Sequence, residues 1–265
     1  MGRCPVIGMN MSLASIADED RWELQAPLTY VDAVMGAGGL PLFIPPYEDP
    51  AMIRQLVPFL DGFLFIGGDD YHPDHYGGHP QPDNELVPER RDRFDMALAQ
   101  WILEKTVLPV FGICGGHQLI AIARGGALVQ DIKKEWPAPA GISPILHAKR
   151  ERSKTNHADF RHTVEIKADS LVAGIVKASS ENQLDTNSFH HQGVHPEKPG
   201  RDFMVSAWTA DGVVEAIEPS TDSKWAGTGR FVLGVQWHPE RMQDEEPQRR
   251  LFRALIAAAA SRRRP

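Results

Sequence analysis

Short apolar runs alternate with segments of helical spacing through the first half of the chain. In the helical segments, apolar residues recur every three or four positions, as they do on one face of a helix. The short runs are predicted strands, and strands that alternate with helices are typical of a parallel sheet. In chain order, the pattern predicts a strand at Pro5–Met9, a helix from about Leu24 to Met35, a strand at Leu42–Ile44, a helix at Ala51–Val57, a strand at Gly62–Ile66, a helix from Pro88 to about Glu104 and a strand at Leu108–Ile113.

The second half changes to strand-like segments joined by turn signals such as Asp211–Gly212, and it ends in an apolar-striped helix at Pro247–Ser261. We therefore predict an α/β fold with a doubly wound, flavodoxin-like central parallel sheet flanked by helices and additional antiparallel strands in the second half. We expect a single domain over 1–265, with 130–160 as a surface excursion. The strand-like segments are His162–Ile166, Leu184–Phe189, Phe203–Thr209, Val213–Ile217 and Phe231–Gln236.

Composition narrows the class of protein. Of 265 residues, 42% are hydrophobic and 24% are charged, which is ordinary for a globular protein. The net charge is −7, and the chain has no long run of basic residues. We therefore expect no nucleic-acid partner. The two cysteines provide no disulfide framework, which is typical of a reducing compartment. No apolar run resembles a signal core or a membrane span. We therefore expect a cytoplasmic protein that does not contact membranes.

The stretch Val107–Gly126 carries the strongest chemical signal. Its apolar strand ends at Cys114, two glycines follow, and a helix-like segment begins near His117. A nucleophile elbow has this order: a strand, a nucleophile flanked by glycines, and a helix. Here a cysteine stands where many such enzymes have the nucleophilic serine. A helix N-terminus would favour the thiolate form of that cysteine. The alternative is a buried structural cysteine between glycines.

A thiol nucleophile needs a base, and His238 is the best candidate among eleven histidines. On an extended backbone, residues two apart point to the same side, so Glu240 would lie beside the His238 imidazole. Pro239 between them stiffens the segment. The carboxylate would orient the ring and stabilise its protonated form. The alternative is a polar surface turn after a strand.

Together these two segments resemble the class I glutamine amidotransferase-like hydrolases. GICGGHQ at Gly112–Gln118 is similar to the nucleophile motif of that superfamily, and GVQWHPE at Gly234–Glu240 is similar to its His/Glu motif. Three further stretches resemble the γ-glutamyl hydrolase branch, whose members include γ-glutamyl-γ-aminobutyrate hydrolase-like proteins. They are GGDDYHPDHYG at Gly67–Gly77, NSFHHQGV at Asn187–Val194 and DGVVEAIE at Asp211–Glu218.

The resemblance implies hydrolysis of a γ-glutamyl amide through a thioester on Cys114, with His238 as acid and base and Glu240 as its orienting group. It implies an oxyanion hole formed by the backbone N–H groups of Gly68 and Gly115. It also implies a small-molecule γ-glutamyl substrate and no cofactor or metal. The residues that match family positions near the glutamyl group are Gln118, Ser188, Phe189, His190 and His191.

One departure leaves a rival function open. Many members of this branch read ICRG where this chain reads ICGG, followed by His117. The sequence GGHQ is closer to the glutaminase subunits that supply ammonia to a partner synthetase. The catalytic residues are shared by both functions, so they cannot separate them. A non-enzymatic relative would require a broken triad, and none of its members is missing.

The polar loop after Gly67 offers a third interpretation. Asp70, His72, His75 and His79 have the chemical character of metal ligands, but their spacing matches no compact zinc pattern, so a solvated loop is favoured. The roles of 69–79 and 130–160 stay open, as do the amine half of the substrate and the oligomeric state. A homodimer would be the commonest arrangement.

Overall fold

The computed structural model describes residues 3–16, 21–81, 84–147, 161–177 and 179–262. Within them the strands are β1 (Val6–Asn10), β2 (Ser12–Ser15), β3 (Trp22–Gln25), β4 (Leu40–Ile44), β5 (Gly62–Phe65), β6 (Val110–Ile113), β7 (Leu128–Val129), β8 (Arg161–Ile166), β9 (Gln183–Asn187), β10 (Gly193–Val194), β11 (Phe203–Thr209), β12 (Val214–Pro219) and β13 (Val232–Val235). The helices are α1 (Leu28–Gly36), α2 (Ile53–Leu56), α3 (Glu89–Lys105), α4 (Gly115–Ile122), α5 (Ile132–Glu135), α6 (Leu171–Val176) and α7 (Glu246–Ser261).

Nine strands form one sheet in the order β4-β1-β5-β6-β13-β12-β11-β8-β9. The five strands from β4 to β13 pair in parallel, and the four strands from β12 to β9 continue the sheet with antiparallel pairing. The predicted fold class is thereby confirmed: a parallel α/β sheet formed mainly by the first half, extended by antiparallel strands from the second half.

Helices cover both faces of the parallel sheet. Every residue of β5, β6 and β13 is buried, as expected for parallel strands packed on both sides. One core cluster joins the sheet to α3 and α4, through side chains such as Phe94 and Leu119. The other joins it to α1, α6 and α7, through side chains such as Val34, Val172 and Phe252.

The predicted helix start near Leu24 is wrong. Trp22–Gln25 is strand β3, which pairs antiparallel with β2, and the helix begins only at Leu28. Pro27 explains the delay: its ring disfavours helical dihedrals at the residue before it, and Pro27 itself has ψ 133°, which is extended. Residues 22–25 are exposed, so no buried face distinguishes a strand from a helix in this stretch.

The topology brings three strand ends together. β5, β6 and β13 are neighbours in the sheet and run in the same direction. Their carboxyl ends lead respectively into Gly67–Gly68, Cys114 and His238. Sites in open α/β sheets lie at such carboxyl ends, so the chain order places the predicted chemistry at one edge of the sheet.

The excursion after β7 is partly described. Strand β7 pairs antiparallel with β10, α5 follows, and the segment continues to the buried residue His147. The rest of the excursion, 148–160, lies outside the described residues, as do Arg263 and Arg264. Among the helices that the structure describes, none combines the length and the apolar character that a membrane span requires.

Candidate active site

Cys114 lies in the turn between β6 and α4, with backbone angles φ 52° and ψ −109°. A positive φ is strained for a residue with a side chain and persists only where the surroundings impose it. Here the Cys114 N–H donates to the Val235 carbonyl at 2.9 Å, and the Cys114 carbonyl accepts from the Gln118 N–H at 3.1 Å. This is the geometry of a nucleophile elbow, with the sulfur at the positive end of α4.

Gly112 and Gly116, two residues before and after Cys114, must be glycine because main-chain atoms lie too close to their Cα atoms for a side chain to fit. A Cβ on Gly116 would lie 2.1 Å from the Phe65 carbonyl oxygen, and a Cβ on Gly112 would lie 2.6 Å from the Gly116 carbonyl oxygen. Both obstacles are main-chain atoms, which cannot swing aside. The glycines therefore let α4 begin directly against β5.

His238 and Glu240 lie side by side, as the sequence predicts. His238 Nδ1 is 2.8 Å from Glu240 Oε1, and both side chains are buried. Burial alone would lower the pKa of the His238 imidazole, but the Glu240 carboxylate and the Cys114 sulfur outweigh it and raise that pKa to about 9. The ring is therefore protonated at neutral pH beside a sulfur that can carry the opposite charge.

Cys114, His238 and the Gly67–Gly68 turn converge on one point. A Cβ on Gly67 would lie 3.2 Å from His238 Cε1 and 3.4 Å from Cys114 Cβ. A Cβ on Gly115 would lie 3.2 Å from the Gly68 amide nitrogen. The two backbone amides predicted to bind an oxyanion therefore come from adjacent segments beside the cysteine.

Three side chains that no sequence motif indicates hold the Gly67–Gly68 turn. The Asn10 Oδ1 accepts from the Ile66 N–H at 2.9 Å, and the Tyr30 hydroxyl accepts from the Gly67 N–H at 3.1 Å. The Arg91 guanidinium donates to the Gly67 carbonyl at 3.2 Å and to Asp95 Oδ2 at 3.1 Å. These residues come from β1, α1 and α3, so no local spacing could have revealed the network.

Asn187 and Gln236 are also missed functional candidates. The Asn187 side chain donates to the His238 carbonyl at 2.9 Å and accepts from the His238 N–H at 2.8 Å, which fixes the backbone of the predicted base. Gln236 Nε2 lies 3.6 Å from the Cys114 sulfur. Gln118 Nε2 donates to Gln236 Oε1 and to the Gln192 carbonyl, both at 3.2 Å. Gln118 is thus placed to position Gln236 beside the cysteine.

The segment predicted to bind the glutamyl group has two faces. Ser188 is buried and donates to the His147 carbonyl at 2.8 Å, and His190 is buried with its ring toward Glu215. Phe189 packs edge-on against His238, with ring centroids 5.8 Å apart. The partly exposed His191 has its Nε2 3.2 Å from Asp70 Oδ2. Of the four, Phe189 thus contacts the predicted base, whereas Ser188 and His190 face inward.

The polar loop after Gly67 folds back on itself. Asp70 makes backbone hydrogen bonds with the Glu85–Val87 segment. The Asp70 carboxylate contacts His191 and raises the pKa of that histidine. His75 Nε2 lies 2.6 Å from Asp92 Oδ2. Within the described part of the chain, Asp70, His72, His75 and His79 do not form a group that could bind one metal ion. The group that could do so consists of His147, His162, His190 and Glu215.

A surface depression lies away from the candidate site. It encloses about 480 Å³ and is lined by residues such as Leu60 and Leu108, which precede β5 and β6. It therefore lies at the amino ends of these strands, at the opposite edge of the sheet from Cys114.

The fold is that of the class I glutamine amidotransferases. The glutaminase domain of the Trypanosoma brucei CTPS, solved with bound acivicin, superposes with a TM-score of 0.59 at 18% identity, over 97% of this chain and 94% of that one.

Within that fold, the chain belongs to the Peptidase C26 family, whose model matches residues 5–240. A glutamine amidotransferase-like protein of Rickettsia prowazekii is 33% identical, over 96% of this chain and 98% of that protein. The gamma-glutamyl-gamma-aminobutyrate hydrolase PuuD of Escherichia coli is 29% identical, over 96% and 93% of the two chains. The predicted resemblance to the γ-glutamyl hydrolase branch is confirmed, and relatives of this kind support a hydrolase.

Proposed function

We propose that this protein hydrolyses the γ-glutamyl amide bond of a small γ-glutamyl amine or peptide through a thioester on Cys114. One observation carries the proposal: the strained cysteine at the start of α4 lies beside a histidine that contacts a carboxylate, and beside two backbone amides, at the carboxyl ends of three neighbouring strands. A buried structural cysteine would need none of these neighbours.

The first half of the reaction forms the thioester. The Cys114 thiolate attacks the γ-carbonyl carbon, and the carbonyl oxygen becomes an oxyanion that accepts from the N–H groups of Gly68 and Gly115. Each such donor is worth about 3 kcal/mol in other enzymes. The carbon–nitrogen bond then breaks as the His238 imidazolium gives its proton to the leaving amine.

The second half releases glutamate. The neutral His238 ring takes a proton from water, and the water oxygen attacks the thioester carbon. The carbon–sulfur bond breaks and regenerates the thiolate beside an imidazolium. Throughout, Glu240 holds Nδ1 and stabilises the charged ring, so that the other nitrogen performs both proton transfers.

A glutaminase subunit is the second candidate function. The glutamine amidotransferase-like relative and the GGHQ sequence favour it. His117 does not supply the cation missing from ICGG, because it is fully buried and burial lowers its pKa to about 4. The histidine is neutral at physiological pH, so an amine-binding charge near the nucleophile has to come from another residue.

A substrate panel separates the two functions. The purified chain, without any partner, should release the amine from γ-glutamyl amines, and the Cys114→Ala variant should release none. Free amine and glutamate are both quantified, and glutamine is included in the panel. Turnover of glutamine alone, and only after a synthetase is added, would favour the glutaminase.

A further inference from the structure

Four buried side chains with metal-binding atoms meet between the excursion and the antiparallel part of the sheet. They are His147, His162 on β8, His190 and Glu215 on β12. One ligand atom from each can be chosen so that all four lie within 4.8 Å of one another. Each residue is at least nine-tenths buried, so water does not solvate the group. This histidine cluster is separate from Cys114 and has no part in the mechanism above.

The facing atoms of the histidine cluster lack hydrogen-bond partners among the described residues. This holds for both oxygens of Glu215, both ring nitrogens of His162, Nδ1 of His147 and Nε2 of His190. A buried carboxylate without a well-formed hydrogen bond is costly, because it loses its hydration without full replacement. So many unpaired polar atoms aimed at one another indicate that something else binds between them.

The separations from Glu215 are close to those around a tetrahedral ion. Glu215 Oε1 lies 3.4 Å from His190 Nε2 and 3.6 Å from both His147 Nδ1 and His162 Nε2. Zinc binds such atoms at about 2.0–2.1 Å, which places tetrahedral ligands about 3.3–3.4 Å apart. The observed spacing lies at or beyond the long end of the hydrogen-bond range, and it suits ligands around a shared ion.

Outer contacts orient two of the rings for this role. His190 Nδ1 lies 2.9 Å from the Gln192 carbonyl, so Nδ1 carries the proton and Nε2 is free to bind. His147 Nε2 lies 3.4 Å from Asp211 Oδ2, and that carboxylate also accepts from the Ile145 N–H at 2.8 Å. A carbonyl or carboxylate behind a histidine is the usual outer shell of a metal ligand.

We propose that His147, His162, His190 and Glu215 bind one divalent transition-metal ion of the zinc class. Three imidazoles and one carboxylate give zinc four protein ligands, which is typical of a closed structural site. The proposal does not depend on the proposed hydrolase activity. It differs from the loop hypothesis raised by the sequence, since it uses none of the loop residues.

Such an ion would anchor the segment next to the active site. His190 lies in the same short segment as Asn187 and Phe189. Asn187 makes two hydrogen bonds with the His238 main chain, and Phe189 packs against the His238 ring. His147 is joined to the segment through its carbonyl, which accepts from the His190 N–H and the Ser188 hydroxyl. The metal would tie the excursion, the sheet and this segment together.

The test uses the full chain produced without a histidine tag, treated with a chelator and then dialysed against zinc. We expect one zinc per chain by elemental analysis. We also expect X-ray absorption to show nitrogen and oxygen at about 2.0–2.1 Å, without sulfur. At a hundredfold excess over the dissociation constant, zinc should raise the melting temperature by about 5–10 °C. His162→Gln and Glu215→Gln should lose the zinc, whereas His79→Gln, at an exposed loop histidine, should keep it.

Three results would overturn the proposal: zinc retained equally by both cluster variants, sulfur in the coordination shell, or no zinc bound and no change in melting temperature. The X-ray absorption and melting experiments are performed on the unsubstituted protein. They therefore decide the matter even if a cluster variant fails to fold.

Discussion

At the scale of single residues, the proposed chemistry depends on strain and charge imposed by neighbours. Cys114 has a positive φ because hydrogen bonds from β13 and α4 fix it there, and His238 is protonated because Glu240 and Cys114 outweigh the effect of burial. Gly68 has a structural constraint too: a Cβ there would lie 2.4 Å from Arg91 Nη1. Substituting Gly68 would therefore disturb the Arg91 network as well as the predicted oxyanion donor, so it is a poor test of that donor alone.

The charge on His238 predicts the pH dependence of activity. Its raised pKa means that the imidazolium, which we propose as the acid for the leaving amine, is present below about pH 9 and is lost as the pH rises through that value. We therefore expect kcat/KM to fall above about pH 9. Because the Glu240 carboxylate and the Cys114 sulfur together raise this pKa, Glu240→Gln removes one of the two causes and should move the fall to lower pH by about 1–3 units.

The matched control for this pH experiment is Glu246→Gln, which removes a carboxylate that pairs with arginines of α7. Its pH profile should coincide with that of the unsubstituted protein. A Glu240→Gln profile that also coincides would mean that another group controls the alkaline limb.

At the scale of elements, the site exists because three parallel strands end together. The apolar runs predict β5, β6 and β13 from sequence because buried parallel strands have no polar alternation. The exposed β2–β3 hairpin could not be predicted in this way. The supporting residues Asn10, Tyr30 and Arg91 could not be predicted for another reason: each lies in a different element, and only the folded chain brings them to the same turn.

The contact between α4 and β5 should be sensitive to a single methyl group. Gly116→Ala places a Cβ 2.1 Å from a backbone oxygen, so the helix must shift, and we expect a loss of about 1–3 kcal/mol in the free energy of unfolding. Activity should fall as well, because Cys114 moves with α4. Urea denaturation and steady-state kinetics measure the two effects.

Gly174→Ala provides the comparison, since Gly174 lies in helix α6 with nothing within 4 Å of its Cβ position. This variant should gain about 0.4–1 kcal/mol of stability, as alanine replaces glycine at a compatible helical site. Equal stability changes in the two variants would show that the tight approach at Gly116 is not what fixes the elbow.

At the scale of the whole molecule, the two halves of the chain contribute different parts of the candidate site. The first half supplies the parallel sheet, the cysteine and the backbone amides, and the second supplies the histidine, the carboxylate and the segment that holds them. The sequence motifs predicted the triad members because they are local. They did not predict the histidine cluster, whose four ligands come from four separate segments and share no spacing.

The most direct test of the central claim is to trap the thioester. The purified protein is mixed with a γ-glutamyl amine, quenched in acid within one turnover, and analysed by intact-mass and peptide mass spectrometry. We predict an added mass of one glutamyl group on the peptide containing Cys114, which hydroxylamine removes, with Cys4, exposed and remote in sequence, as the internal control. Full activity in Cys114→Ala, or a glutamyl adduct found only on Cys4, would contradict the assignment of Cys114 as the nucleophile.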